Sequence, residues 1–326
     1  MKYILRRLSF YALAAWVSIT LAFFIPRMMP GDPAERMFAR FRGKLTPEAL
    51  ADLKEAFGFA DGSMISQYFS YLGHVLTGDL GISVKYYPAT VGSVIGTALL
   101  WTIMLAGIAV VISFTCGTLL GVLAAWKRGG WLDTILPPTL ILLGAFPYFW
   151  LAMALLFALG FTLEWFPLRH AYDDHLSPGF TFEFISSVVR HAILPAGTIV
   201  IATMGAWLLD MRNTMMTVLG EDYIKLAVAK GLSRKRVMLR YAARNALLPN
   251  VTSFGMALGF VVSGSILTEI VFSYPGQGYL LLQAVQSQDY PLMQGLFLTI
   301  TIAVLGANLL VDIAYAWLDP RTRRGG

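Results

Sequence analysis

Charge is scarce in this chain. Of its 326 residues, 13% are Asp, Glu, Lys or Arg, against 57% hydrophobic. A water-soluble domain averages about 25% charged residues, so a soluble globule of this size would lack the polar side chains to cover it. Cysteine is scarcer still. The single Cys116 lies inside an apolar block, which excludes an intrachain disulfide and marks it as a small packing residue. No GxxxxGK[ST] string occurs: Gly43-Lys44 is followed by Leu45, and Phe38 stands where the first glycine belongs. A phosphate-cradling loop, and with it an ATP-hydrolysing site, is therefore absent from the sequence. Among His74, His170, His175 and His191 there is no HExxH, and no GxSxG appears, so zinc-protease and serine-hydrolase chemistry find no catalytic residues. The net charge of +6 is not accompanied by a zinc motif or an aromatic single-strand platform, which argues against nucleic acid. No segment shows the ten-residue alternation of an outer-membrane barrel strand.

What is present is apolar sequence in blocks of about 20 residues, long enough to cross a ~30 Å hydrocarbon core at 1.5 Å per residue. The blocks are 8–28, 97–126, 134–161, 192–212, 250–272 and 291–317. They predict an all-α membrane protein with six transmembrane helices. Internal Pro137-Pro138, Pro147, Gly205 and Gly259 are compatible with a bundle, where neighbours satisfy freed backbone groups. The first block follows Lys2, Arg6 and Arg7, but it is long for a signal-peptide core. Arg27-Met28-Met29-Pro30 is no small-residue cleavage site, so a retained first helix is the reading.

Orientation follows the basic residues. With the N-terminus inside, segments 1–7, 127–133, 212–249 and 318–326 hold 16 of the 25 Lys and Arg, while the short stretch 273–290 holds none. Both termini are then cytoplasmic. The organisation is a first helix at 1–28, an extracytoplasmic lobe at 29–96, a core at 97–317 containing a cytoplasmic loop at 214–249, and a tail at 318–326. Within the lobe, Thr46-Pro47-Glu48 suits a helix start. Ala49 to Gly58 is amphipathic and stops at glycine, and Ile65 to Val75 has helical spacing.

The loop is the only sizeable polar segment predicted inside. From Glu221 it reads Glu-Asp-Tyr-Ile-Lys-Leu-Ala-Val-Ala-Lys-Gly-Leu, ending at Leu232. On a helix, Ile224, Ala227, Val228 and Gly231 form one small apolar stripe. Glu221 and Asp222 suit the positive end of the helix dipole, Lys230 the negative end, and Gly231 the left-handed stop. A second helix is predicted from Ser233 through Leu248, closed by Pro249, with Arg236, Arg240 and Arg244 in one basic stripe facing anionic headgroups. An isolated helix this short is marginal in water, so the first must pack either on its own bundle or in a partner's groove.

Glu221 to Gly231 with Asn245-Ala246-Leu247-Leu248-Pro249 resembles the EAA loop of binding-protein-dependent ABC transporter permeases. Four further stretches resemble the oligopeptide/dipeptide branch of that family: Pro30-Gly31-Asp32-Pro33, Gly78-Asp79-Leu80-Gly81-Ile82-Ser83, Glu269 through Gly278, and Leu318-Asp319-Pro320-Arg321. Five matches in the expected order span nearly the whole chain. The resemblance implies a type I importer permease of the bacterial plasma (inner) membrane. Its partners would be a second homologous permease, two ATPase subunits carrying ATP and magnesium, and an extracytoplasmic solute-binding protein. It also implies an ATPase-coupling helix made of Glu221, Asp222, Tyr223, Ile224, Ala227, Val228, Ala229, Gly231 and Leu232. Val228 departs from the branch, which has arginine or another polar residue there, and this implies an apolar contact.

Peptide is the first expectation for cargo, with a β-linked oligosaccharide second. A stand-alone carrier or membrane enzyme is the rival from another class. Glu269, near the end of the fifth block, is a pathway or gate candidate together with the turn Tyr274, Pro275, Gly276. Asp210, Arg212 and Asp312 lie near block ends, where pairing or snorkelling is expected. Trp150, Phe161, Trp165 and Phe166 suit an interfacial belt. His170, His175, Asp173 and Asp174 share one loop, read as solvated rather than metal-binding.

Overall fold

The computed structural model describes residues 2–29, 63–261 and 266–318. The expected helix at 46–58, Pro30-Gly31-Asp32-Pro33 and all but the first residue of Leu318-Asp319-Pro320-Arg321 lie outside them. The described residues are helical and contain no strand, only an isolated bridge between Ile82 and Thr90. The chain divides into two compact units, Met1–Trp101 with Pro275–Gly326, and Thr102–Tyr274.

In the first unit, α1 (Lys2–Arg27) packs along α13 (Tyr290–Leu318). The helix expected near 65–75 is α2 (Met64–Thr77), capped by the Ser63 hydroxyl and ended by Gly78 at φ +76°. Tyr68 joins α2 to α1: its hydroxyl lies 2.8 Å from Thr20 Oγ1 and its ring meets the Phe23 ring edge-on. The stretch Gly78 to Ser83 is a chain reversal. Gly78 and Gly81 supply left-handed φ, and the Asp79 carboxylate accepts from the Gly81 N–H at 3.0 Å. Ser83 then donates to the buried Asp289 carboxylate at 2.5 Å, which also accepts the N–H of Lys85 and, at the start of α13, that of Leu292. Three donors on one carboxylate make its burial affordable. The first part of α3 (Val91–Trp126) and α12 (Gln277–Ser287) close this core around Val91, Ile95, Leu280 and Leu296.

The second unit is arranged on α7 (Phe182–Leu219), 38 residues or about 57 Å of helix. Packed on it are α5 (Leu136–Ala145), α6 (Tyr148–Leu155), α10 (Arg244–Phe260) and α11 (Ile266–Val271). Glycines set the distances. A Cβ on Gly117 of α3 would lie 2.7 Å from the Met204 carbonyl, and one on Gly121 2.6 Å from the Leu208 carbonyl. Gly144 of α5 meets the Ala202 carbonyl in the same way, and Gly205 of α7 meets Leu140. Lipid offers no hydrophobic force to hold helices together, so close backbone approach through small residues carries the association.

Two expectations change. The block 134–161 is not one helix: α5 and α6 meet at a 98° bend, because Pro147 lacks an N–H and drives Phe146 into extended backbone. A π-helical segment, π1 (Leu156–Thr162), continues α6. Pro249 does not close the second loop helix either. It sits within α10, which follows a short turn α9 (Arg234–Arg236) and a second π segment, π2 (Val237–Ala243). A proline breaks a helix readily where water competes for the freed carbonyl; at the entry to an apolar block that competition fades. Among the described residues, four helices are long and apolar enough to cross a membrane, or five if the bent pair counts as one span.

Gly121→Val is expected to lower the stability of the detergent-solubilised chain by about 1–3 kcal/mol, since the α3–α7 contact must open. Gly96→Ala, with nothing within 4 Å of its Cβ, is expected to leave it unchanged or slightly raised. Thermal melts of the two variants check this.

Candidate functional site

The segment after α7 folds as the short helix α8 (Asp222–Ala229). Glu221 precedes it in extended backbone, and Asp222 in its first turn faces the helix dipole favourably. Lys225 Nζ lies 2.8 Å from the Asp222 carboxylate, an exposed pair that adds little energy. The end is made by Gly231 at φ +75°, with the Leu232 N–H turning back to the Ala227 carbonyl.

Which face of α8 is free decides what it can do. Ile224 and Ala227 are buried in a cluster with Met211 and Met215 of α7, Val122 and Ala125 of α3, and Val237, Ala242 and Ala246, with Leu232 packed at its edge. The small stripe therefore folds back on its own chain, and Ile224 and Ala227 are withdrawn from any outward contact face. Val228 lies at the rim of that stripe and is 60% exposed. The opposite face carries Tyr223, Lys225, Leu226, Ala229 and Lys230, all exposed.

Leu226, at 56% exposure, was not among the sequence candidates. Its signal was available: it stands about 200° round the helix from Ile224, three residues after Tyr223, so α8 is apolar on two sides. Tyr223 is aimed from elsewhere. Its hydroxyl accepts from Asn245 Nδ2 at 2.9 Å, and Asn245 also donates to the Tyr241 carbonyl. That contact joins the two parts of the loop resemblance, 22 residues apart. Beneath, Arg212 of α7 pairs at 2.5 Å with Asp133 of the one-turn helix α4 (Trp131–Thr134), and Asp133 accepts the Gly129 N–H, fixing the turn between α3 and α5.

The gate candidates fall differently. Glu269 and Tyr274 are buried. Glu269 accepts from Thr102 Oγ1 at 2.8 Å, tying α11 to α3, and its carbonyl takes the Tyr274 N–H. Neither side chain lines an open surface in this conformation. Pro275 and Gly276 belong to the first unit, where Gly276 starts α12 without a side-chain cap.

In the loop 163–181, His170 Nδ1 lies 3.0 Å from Asp174, and Ser187 donates to Asp173 at 2.7 Å. That hydrogen bond, with His191 beside it, holds the Asp173 carboxyl below the usual carboxylate range. Among the described residues no three His, Cys, Asp or Glu side chains gather as a metal site.

Residues 117–324 match the family described as binding-protein-dependent transport system inner membrane component. The whole chain is similar to curated relatives, with 99% of each chain covered. The dipeptide transport system permease protein DppB of Escherichia coli is 36% identical, and the di/tripeptide transport system permease protein DppB of Pseudomonas aeruginosa 34%. The dipeptide transport system permease protein DppB of Lactococcus lactis is 33% identical.

Ile224→Ala is expected to destabilise the chain by about 2–5 kcal/mol, as a buried aliphatic truncation, while Leu226→Ala stays within about 0.5 kcal/mol. Thermal melts of both variants would contradict this partition if the order were reversed.

Proposed function

The chain belongs to the binding-protein-dependent transport system inner membrane components, and on that premise we propose that the outward face of α8 is where an ATPase partner engages it. The chain is a permease subunit of an ABC importer of peptides. It is a membrane component rather than a catalytic subunit, and the ATPase is a partner. A stand-alone carrier or enzyme does not fit that family.

The observation that carries the coupling reading is the two-sidedness of α8. One face is cemented into α7, α3 and α10, and the other presents Tyr223 and Leu226, with Val228 at the rim. A load applied to Leu226 is therefore borne by the transmembrane helices beneath it. The valine at 228 keeps the seat apolar. ATP-driven closure of two ATPase subunits would move α8, and with it α7, in a two-state cycle also biased by the loaded binding protein. Six spans, both termini cytoplasmic, an outer lobe at 29–96 and a second homologous permease complete the proposed assembly. In it, the Tyr274-Pro275-Gly276 turn and Glu269 form a gate that opens by parting Glu269 from Thr102.

For cargo, relatives named for dipeptides and for di- and tripeptides support short peptides ahead of oligosaccharides. Leu226→Asp is expected to weaken recovery of the ATPase subunits with the affinity-purified permease by at least about tenfold, as loss of an apolar anchor does. Uptake should fall in parallel, with membrane insertion unchanged. Normal assembly and uptake would remove α8 from the coupling role. In whole-cell uptake, unlabelled dipeptides should compete with a labelled dipeptide while cello-oligosaccharides do not; competition by the sugar alone would reverse the cargo assignment.

A further inference from the structure

The positive charge of this protein is concentrated in two segments of the second unit. Segments 122–133 and 210–250 contain ten Lys and Arg against four Asp and Glu, a surplus as large as the +6 of the entire chain. Two of the acids are already engaged, Asp133 by Arg212 and Asp222 by Lys225. Arg234, Lys235, Arg236, Arg240 and Arg244 are all exposed, and among the described residues none of their side chains has a hydrogen bond or an ion pair. Five unneutralised cations on one 11-residue stretch repel one another unless an external anion is present.

Depth identifies the anion. Ala242 and Ala246, interleaved with Arg240 and Arg244, lie in the same buried cluster as Val122 and Ala125, with Trp126 packed against it. That is the last turn of α3, where its apolar run gives way to Lys127-Arg128. Arg244 thus stands at the end of the hydrocarbon span, and Arg240 and Arg236 lie about 6 and about 12 Å beyond it. A headgroup layer is about 5–8 Å deep on each side of the bilayer, so Arg244 and Arg240 fall within it.

Leu248 and Val251 in α10, four and seven residues after Arg244, are exposed and apolar, 68% and 48%. Along one face the side chains therefore pass from arginine to aliphatic in the order that a phospholipid passes from phosphate to acyl chain. A protein groove would not require that gradient.

We infer that Arg240 and Arg244, backed by Leu248, form a binding site for acidic phospholipid headgroups, with Arg236 as an outer contact. It lies beside α8, since π2 carries Arg240 on the helix whose Val237 and Ala242 bury Ile224. Headgroup binding would thus hold the base of α8 at the membrane surface. The inference does not depend on which side of the membrane these segments face, nor on α8 binding an ATPase.

The test uses the purified full-length chain in symmetric nanodiscs of phosphatidylcholine with a minor share of phosphatidylglycerol. Lipid retained after gentle detergent extraction is quantified by mass spectrometry. The wild type is expected to enrich phosphatidylglycerol. Arg240→Gln with Arg244→Gln should lower that enrichment by about fivefold per arginine, the equivalent of about 1 kcal/mol each. Arg240→Lys with Arg244→Lys should keep it, because attraction to an anionic headgroup layer counts a lysine and an arginine alike. Arg169→Gln with Arg190→Gln, exposed cations elsewhere in the same unit, should leave it unchanged. Enrichment that survives the glutamine pair, is lost equally in the Arg169 and Arg190 control, or is abolished by inorganic phosphate would overturn the lipid site. Failure of the lysine pair would also overturn it.

Discussion

Close approach to the backbone of α7 is the constraint on which the second unit depends. Two helices converge on that rod through glycine or beside it: α3 at Gly117 and Gly121, and α5 at Gly144 and at Leu140 against Gly205. In lipid an apolar side chain gains nothing by leaving its neighbours for a helix surface, so the bundle is held by packing and by the few polar groups that meet inside it. Ser113 and Thr203, with their hydroxyls 2.7 Å apart, and Thr102 with Glu269 are such meetings, each joining elements distant in sequence. Fixing α7 also fixes both of its ends. One is pinned through Ser187 to the loop at Asp173, and the other feeds directly into α8.

That continuity explains why so short a helix can matter. Eight residues have no stability of their own in water, and α8 exists because Ile224 and Ala227 are buried against Met211 and Met215 of α7. The same burial makes it a rigid outgrowth of the bundle rather than a tethered peptide. Asn245 then positions Tyr223 from a third element, so the exposed face is organised by contacts behind and beside it. Were the small-residue stripe itself the outward face, nothing would remain to hold the helix against its own chain.

Much of this was legible in the sequence, wherever the determinant is local. Gly231 ends α8 and Gly78 ends α2 at left-handed φ, as their positions after apolar periodic runs imply. The spans of α1, α3, α7 and α13 follow from apolar length alone. The failures share a cause, which is dependence on partners far away. The pattern of Pro137, Pro138 and Pro147 did not say which proline would bend the block, and the answer depends on how α5 and α6 each lie on α7. The stripe expected at 224, 227, 228 and 231 divides: Ile224 and Ala227 are buried while Val228 stays exposed, and that direction depends on Met211, Val122 and Val237, none of them neighbours in sequence. The pin between Ser83 and Asp289 spans 206 residues, and nothing at either end announces it.

The π segments follow from the same competition between local rule and distant demand. Val237 and Ala242 must both reach the cluster under α8, while Ala246, four residues further on, must reach it as well. Residues 237 and 242 are five apart, about 500° on an α-helix, which sets their directions about 140° apart; a π turn of roughly 4.4 residues brings that to about 50°. One wider turn thus lets a single helix serve two surfaces, the underside of α8 and the flank of α7. It also keeps Arg240 outward between two buried positions. A strictly α-helical entry into α10 would rotate either Val237 or Ala242 out of the cluster, and the loss would be felt first in the seat of Ile224.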